Sequence, residues 1–276
     1  MQIAGNVFVV TGAGNGIGRR VALELVARGG IVAGVDRDPD GLATTRSRSA
    51  DPERFSPHVL DIADTAAVDA FPDEVTAAHG RVDGLFNIAG ISQEFETVAG
   101  VTDARIEQIM RVNFFGTVAM TRAFLPLLEA RPEAVIMNTS SLSAMVPYPG
   151  AAIYGASKAA VALFSYGLTQ DLRGSSSVTV TTVIPGTVWT DLVRNSSQTL
   201  GTPEALAKGF AMKPEKAAHR MVEATMKGRS RVVIGKDAHF FGGARRISSR
   251  LADRLSYVQV GRFVYGRNRK PAPTVD

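Results

Sequence analysis

Short runs of β-branched and aromatic residues alternate along this chain with longer stretches in which apolar residues return every three or four positions. The runs are Asn6 to Thr11 (N-V-F-V-V-T), Gly30 to Val35 (G-I-V-A-G-V), His58 to Ile62 (H-V-L-D-I), Val82 to Ile88 (V-D-G-L-F-N-I), Ala134 to Thr139 (A-V-I-M-N-T), Val178 to Ile184 (V-T-V-T-T-V-I) and Arg231 to Ile234. Their length and β-branched content predict strands, and the stretches between them carry helical period. Arg19 to Arg28, Thr65 to His79, Thr102 to Leu128, a segment from near Ala151, and Pro214 to Lys227 read as helices, with Pro126 predicting a kink or an end. Strands that are apolar on both sides and alternate with helices predict an α/β chain built on a doubly wound parallel sheet.

At 276 residues, 45% of them hydrophobic, the chain is long enough for one large domain with a buried core. We read residues 1–235 as that domain, residues 190–213 as a helical lid over substrate, and residues 236–276 as an extension. The absence of cysteine excludes a disulfide scaffold and thiol redox chemistry, and fits a reducing compartment. The N-terminus reaches an apolar strand pattern within five residues without a basic leader, so no cleaved signal peptide and a cytoplasmic location are expected. No apolar run approaches the ~20 residues that cross a bilayer.

The formal charge of +5 is uneven. Lys236 to Lys270 holds nine Lys/Arg against two Asp, a net of +7, which leaves −2 for the rest. The basicity is therefore local, and a nucleic-acid partner is not expected. Within it, Ala244, Ile247, Leu251, Leu255 and Val258 recur at helical steps, with Arg245, Arg246, Arg250 and Arg254 largely on other faces. Such a basic amphipathic helix packs on the body or a neighbouring subunit, lies peripherally on an anionic membrane, or ends the fold as a solvated face.

The candidate chemistry lies at the ends of the strands. G-A-G-N-G-I-G follows the first strand at once, and Gly12, Gly16 and Gly18 allow a tight turn that brings backbone and a helix N-terminus to a pyrophosphate. Glycine turns are common, and by itself this one is also an ordinary turn. Asp36 ends the second strand about twenty residues on, where a carboxylate accepts from the ribose hydroxyls of NAD. Arg37 beside it offers a partner to the 2′-phosphate of NADP, although Asp36 repels that phosphate; D-R-D-P also reads as a charged turn. Asp61 ends the third strand where adenine would be met, and the small residues Ala89 and Gly90 follow the fourth. His58 and His79 read as surface or strand-edge residues.

Asn138 to Lys158 carries the reactive groups. Tyr154 and Lys158 sit one helical turn apart, and Ser140 and Ser141 end the preceding strand. A phenol whose pKa is lowered by a neighbouring ammonium, beside a hydroxyl, suits proton transfer to an alcohol or carbonyl oxygen. A Tyr-x-x-x-Lys pair is also a common structural feature of helices. Asn113 lies on a buried helical stripe, either as structural glue or in a polar relay. No His/Asp/Glu cluster has metal-ligand spacing, so an organic cofactor must carry the electrons. Thr187 and Thr190, after the sixth strand, are candidates to bond its amide or phosphate.

Taken in order, T-G-A-G-N-G-I-G from Thr11, Asp36, Asp61 with Ile62, N-I-A-G from Asn87, Asn113, Ser141, Y-G-A-S-K from Tyr154 and P-G-T-V from Pro185 resemble the short-chain dehydrogenases/reductases over roughly residues 4–235. The resemblance implies a Rossmann-type fold and a catalytic set of Asn113, Ser141, Tyr154 and Lys158; Ser140 is the alternative serine, but Ser141 has the family's thirteen-residue spacing to the tyrosine. It implies cofactor contacts from Gly12, Asn15, Gly16, Ile17, Gly18, Asp36, Arg37, Asp61, Ile62, Asn87, Ala89, Gly90, Tyr154, Lys158, Pro185, Gly186, Thr187, Val188 and Thr190. Asn15 stands where NADP-preferring members carry a basic residue, which favours NAD, with an NADP-dependent carbonyl reductase as the alternative. Ile88 departs from the family's usual Asn-Asn-Ala-Gly. The implied reaction is hydride transfer between NAD and a secondary alcohol or ketone, with Tyr154 as acid/base, Lys158 lowering its pKa and holding the ribose, Ser141 binding the reacting oxygen and Asn113 positioning a relay water. Met145, Val146, Pro147, Tyr148 and Trp189 suggest an apolar substrate, and the helices from Thr102 and Ala151 suggest a homodimer or homotetramer. A dinucleotide-sensing protein without catalysis is the remaining alternative.

Overall fold

The computed structural model describes residues 1–93, 95–174, 177–190, 193–194 and 211–261. Seven strands, β1 (Val7–Thr11), β2 (Ile31–Asp36), β3 (Phe55–Val59), β4 (Gly84–Asn87), β5 (Ala134–Thr139), β6 (Val178–Pro185) and β7 (Arg231–Ile234), form one sheet in the order β3-β2-β1-β4-β5-β6-β7. Every pairing is parallel. The order reverses between β1 and β4, and in open parallel sheets the crevice at such a reversal, beyond the strands' C-terminal ends, is where ligands sit.

Helices α1 (Gly16–Ala27), α2 (Pro39–Ser47), α3 (Thr65–His79), α4 (Asp103–Met110), α5 (Thr117–Glu129), α6 (Ala152–Asp171) and α7 (Pro214–Met226) cover the sheet. One core packs α1 and α7 on Phe8, Val10, Phe86 and Met137; the other packs α3, α5 and α6 on Val9, Val35, Leu85 and Ile136. Alternate residues of β1 thus serve opposite layers, as the pleat requires, which is why its five residues are all buried.

Three elements differ from the sequence reading. The third strand is Phe55–Val59 rather than His58 to Ile62, because it pairs with β2 in the register Val32↔Phe55 to Asp36↔Val59 and stops where β2 stops. Pro57 sits inside it without cost to a ladder, since this edge strand pairs on one side only. His58 is in an edge strand but is buried, stacked edge-on against Phe71 and 2.6 Å from Glu74 Oε1. The single helix read from Thr102 to Leu128 is interrupted by a π-helical turn at Arg111–Gly116 and runs through Pro126 to Glu129.

The tail is two helices, α8 (Lys236–Ile247) and α9 (Ser249–Ser256), because Ser248 is extended and its side chain caps α9 at Leu251 N. The continuous stripe read through Ala244, Ile247, Leu251, Leu255 and Val258 is therefore broken. Ala244 is buried and Leu255 half-buried, while Ile247, Leu251 and Val258 face solvent. The inward face instead joins Ala238 and Phe241 to Leu142 and Val146, so the extension packs on the body. Most of the lid read at residues 190–213 lies outside the described residues; its ends are tied by Trp189 N to Met212 O and Met212 N to Thr187 O, both 2.9 Å.

Phe124 is fully buried and meets Phe71 edge-to-face at 5.6 Å. Phe124→Ala should lower unfolding free energy by about 3–5 kcal/mol, read as a shift in the midpoint of chemical denaturation.

Candidate active site

The glycine turn is built for close approach. Gly12 has φ +71°, and a Cβ there would stand 3.0 Å from Ala89 Cα; a Cβ on Gly18 would overlap Gly12 O. Only glycine lets the β1 turn, the strand end at Ala89 and the start of α1 meet this closely. Asn15 caps α1, its Oδ1 accepting from Gly16 N at 2.7 Å, while Ile17 packs into the core behind the turn. Asp36 reaches across from β2 and accepts from Gly14 N at 2.9 Å and Asp38 N at 3.1 Å. Arg37 is exposed. Asp61 lies past β3 in a turn, accepting from Ala63 N, and Ile62 is buried against Gly116. On the far side of the crevice Thr190 Cγ2 would lie 3.6 Å from a Cβ on Gly16, so the loop after Pro185 closes over the turn.

Thr11, read only as part of the motif, holds the opposite wall: its Oγ1 accepts from Ile88 N and Ala89 N at 3.0 and 3.1 Å. Asn87 is the last residue of β4. It is buried, donating to Asn138 Oδ1 and Thr121 Oγ1, and Asn138 donates on to Ser165. Its Nδ2 thus links sheet and helices, while its buried Oδ1 meets no partner among the described residues.

The reactive groups converge at the start of α6. Lys158 is buried and donates to Thr139 O at 3.0 Å. Tyr154, half-buried, is hydrogen-bonded by the Ser141 side chain. Ser140 turns the other way, donating to Lys158 O at 2.8 Å, as adjacent residues leaving a strand must point to opposite sides. Asn113 Oδ1 and Lys158 Nζ each lie 3.1 Å from where a Gly90 Cβ would be, so Gly90 is the gap between them. The Asn113 amide is spent on structure: it accepts from Ile91 N, and donates to Ile91 O and Ser157 Oγ.

Electrostatics revise one expectation. Desolvation pushes the Tyr154 phenol above its usual value near 10, and the Ser141 bond pulls it partly back. Burial lowers Lys158 to about 8. Burial thus outweighs the Ser141 bond, and the phenol is protonated at neutral pH.

Two residues missed by the sequence reading hold this geometry. Gln93 is buried, and its Oε1 accepts from Ile153 N and Tyr154 N at 2.9 and 3.2 Å, capping α6 where Ala151 cannot. Asp237, in the first turn of α8, accepts from Thr187 N at 2.7 Å, and its carboxylate occupies the space a side chain on Gly186 would need. Pro185 and Val188 are buried behind that loop. Val146 is core rather than pocket. Pro147 and Tyr148, with Val98, Gly150, Ser256 and Tyr257, line a cleft of about 260 Å³ beside the first turn of α6.

A glycine turn at a helix N-terminus, a carboxylate ending β2, and a tyrosine, serine and lysine across the crevice fit a nicotinamide dinucleotide and define an oxidoreductase site. The short chain dehydrogenase family matches residues 6–201. SadH of Mycobacterium tuberculosis is 37% identical over 267 residues, covering 94% of this chain and 96% of its own. Among solved structures, a short chain dehydrogenase from Burkholderia cenocepacia in complex with NADP is 26% identical (TM-score 0.76; 94% of this chain, 99% of that one). A 3-ketoacyl-(acyl-carrier-protein) reductase from Brucella melitensis with NADH is 27% identical (TM-score 0.76; 84% and 97%).

The chain belongs to the short-chain dehydrogenase/reductase family. It is an NAD(P)-dependent oxidoreductase acting on CH–OH or carbonyl groups. Among the described residues no metal-binding cluster occurs, and no helix is long and apolar enough to cross a membrane.

Lys158 generates a pH prediction. Its folded pKa of about 8 lies below the ordinary 10.5, so between roughly pH 8 and 10 the unfolded chain binds more protons and stability rises with pH. Denaturation midpoints of the cofactor-free protein should climb across that window, and Lys158→Met should flatten the climb. Gln93→Ala should cost about 1–2 kcal/mol through loss of the cap, with Gln93→Glu recovering most of it, as read by the same denaturation.

Proposed function

We propose that the protein transfers a hydride between NAD and an apolar secondary alcohol or ketone, with Tyr154 exchanging the proton. The carrying observation is the Ser141 hydroxyl on Tyr154 one turn from the buried Lys158. A dinucleotide along the crevice, held by the turn at Gly12 to Gly18, Asp36, Lys158 and the loop from Pro185, would supply the hydride acceptor or donor. Tyr154, protonated at rest, gives its proton to a carbonyl oxygen in the reductive direction; in the other direction the phenol first loses that proton to solvent, and the phenolate then takes one from the alcohol. Ser141 donates to the same oxygen, stabilising charge there without reorganising water. The Lys158 ammonium, anchored on Thr139 O, keeps positive charge beside the phenol.

Asp36 supports NAD over NADP. Two backbone N–H groups occupy part of its carboxylate, leaving lone pairs for ribose hydroxyls and negative charge against a 2′-phosphate. Phe115 and Leu163, exposed on the π-helical turn before α5 and on α6, support pairing of subunits into a dimer or tetramer through these segments.

The test is turnover of the purified protein with NADH and NADPH on a panel of apolar ketones, followed by two variants. Tyr154→Phe should reduce kcat by several orders of magnitude while NADH affinity stays nearly unchanged; near-normal turnover would remove Tyr154 from the reaction. Asp36→Ala should shift preference toward NADPH by about 1–3 kcal/mol, and wild-type kinetics favouring NADPH would contradict the assignment of NAD.

A further inference from the structure

The two C-terminal helices each bury one side and turn the other outward. On α8 the inward residues are Ala238, Phe241 and Ala244, while Phe240 (60% exposed) and Ile247 (84%) stand seven positions apart on the opposite stripe. On α9 Ala252 and Ser256 are inward, and Leu251 (44%), with Val258 (51%) in the turn just past α9, flanks the exposed Arg254 at three- and four-residue steps. Arg246 and Arg250 are exposed beside them, and Arg245 stands 4.0 Å from Asp253. Each helix thus carries large apolar side chains and guanidinium groups together among its exposed residues.

Three environments can meet that surface, and they differ in cost. Water leaves the apolar side chains unsatisfied. A second copy related by a two-fold axis would set arginines against arginines, because such an interface matches a patch with itself. An anionic lipid surface takes both: the aliphatic and aromatic groups enter the boundary between headgroups and acyl chains, and the arginines reach lipid phosphates along their own stems. The net charge of +7 between Lys236 and Lys270, against −2 for the rest of the chain, has the matching sign.

We propose that the outward face of α8 and α9 docks on an anionic lipid surface. The docking itself does not rest on the proposed substrate, and its readout is binding rather than turnover.

The experiment is co-sedimentation of the full chain with vesicles of phosphatidylcholine alone and with phosphatidylglycerol, at low and high salt. Binding to the anionic vesicles is expected, weakening with salt, and each of Arg246→Gln, Arg250→Gln and Arg254→Gln should reduce partitioning by about five-fold. Ile247→Ser with Leu251→Ser should reduce it on a charge-independent basis. All five side chains are exposed, and unchanged circular dichroism and NADH binding will show that the variants fold. No binding to anionic vesicles at low salt overturns the proposal. So does binding that survives all the substitutions, which would place the contact elsewhere. A change of oligomeric state in the variants without loss of vesicle binding would assign the face to a second copy and overturn it equally.

Discussion

The structure depends on drawing two ionisable side chains, the half-buried Tyr154 and the buried Lys158, away from water on one turn of α6. Taking an ammonium into a protein interior is costly unless its protons find acceptors, and Lys158 finds one in Thr139 O at the end of β5. That bond, with Ser140 donating back to Lys158 O, fastens the helix to the strand that delivers Ser141. The same burial lowers the lysine and raises the tyrosine, so the pair is set apart from its solution chemistry by its surroundings. The relation between the serine, the phenol and the ammonium is therefore a consequence of packing, not of helical spacing alone.

Support for that turn comes from far along the chain. Gln93, sixty residues from Ile153, supplies the cap that Ala151 lacks, and Asn113 ties the same post-β4 loop to Ser157 by bonding Ile91. The π-helical turn at Arg111–Gly116 carries Asn113, and insertions of this kind re-aim a side chain within a helix. Asp237 does for the loop after β6 what Gln93 does for α6, holding Thr187 N from the first turn of the extension. The extension is thereby part of the site's frame.

What could be read from the sequence was what local geometry dictates. The glycine turn, Asp36 at the end of β2, and Tyr154 one turn before Lys158 are set by short spacings, and each lies where those spacings put it. The thirteen-residue spacing to the tyrosine favours Ser141 over Ser140, and the strand's pleat supplies the physical reason, since Ser140 points the other way to Lys158 O. Gln93 and Asp237 were invisible because their bonds span sixty and fifty residues, and neither residue type announces a cap at such distance. The tail misled for a physical reason: its apolar period is genuine, but Ser248 leaves the helix to cap α9, so the stripe is broken and Ile247, Leu251 and Val258 face solvent. The shift of the tyrosine was also beyond reach, since spacing shows a neighbouring charge but not the depth of burial that opposes it.

The central claim is that burial keeps the reactive phenol protonated and that Ser141 works against it. Titrating the ring carbon bonded to oxygen in isotopically labelled tyrosine by NMR, in the cofactor-free protein, tests this directly, with Tyr154→Phe identifying the signal. The account predicts a midpoint for Tyr154 above 10 that moves higher still in Ser141→Ala; a midpoint below 10, or one that falls when Ser141 is removed, would contradict it.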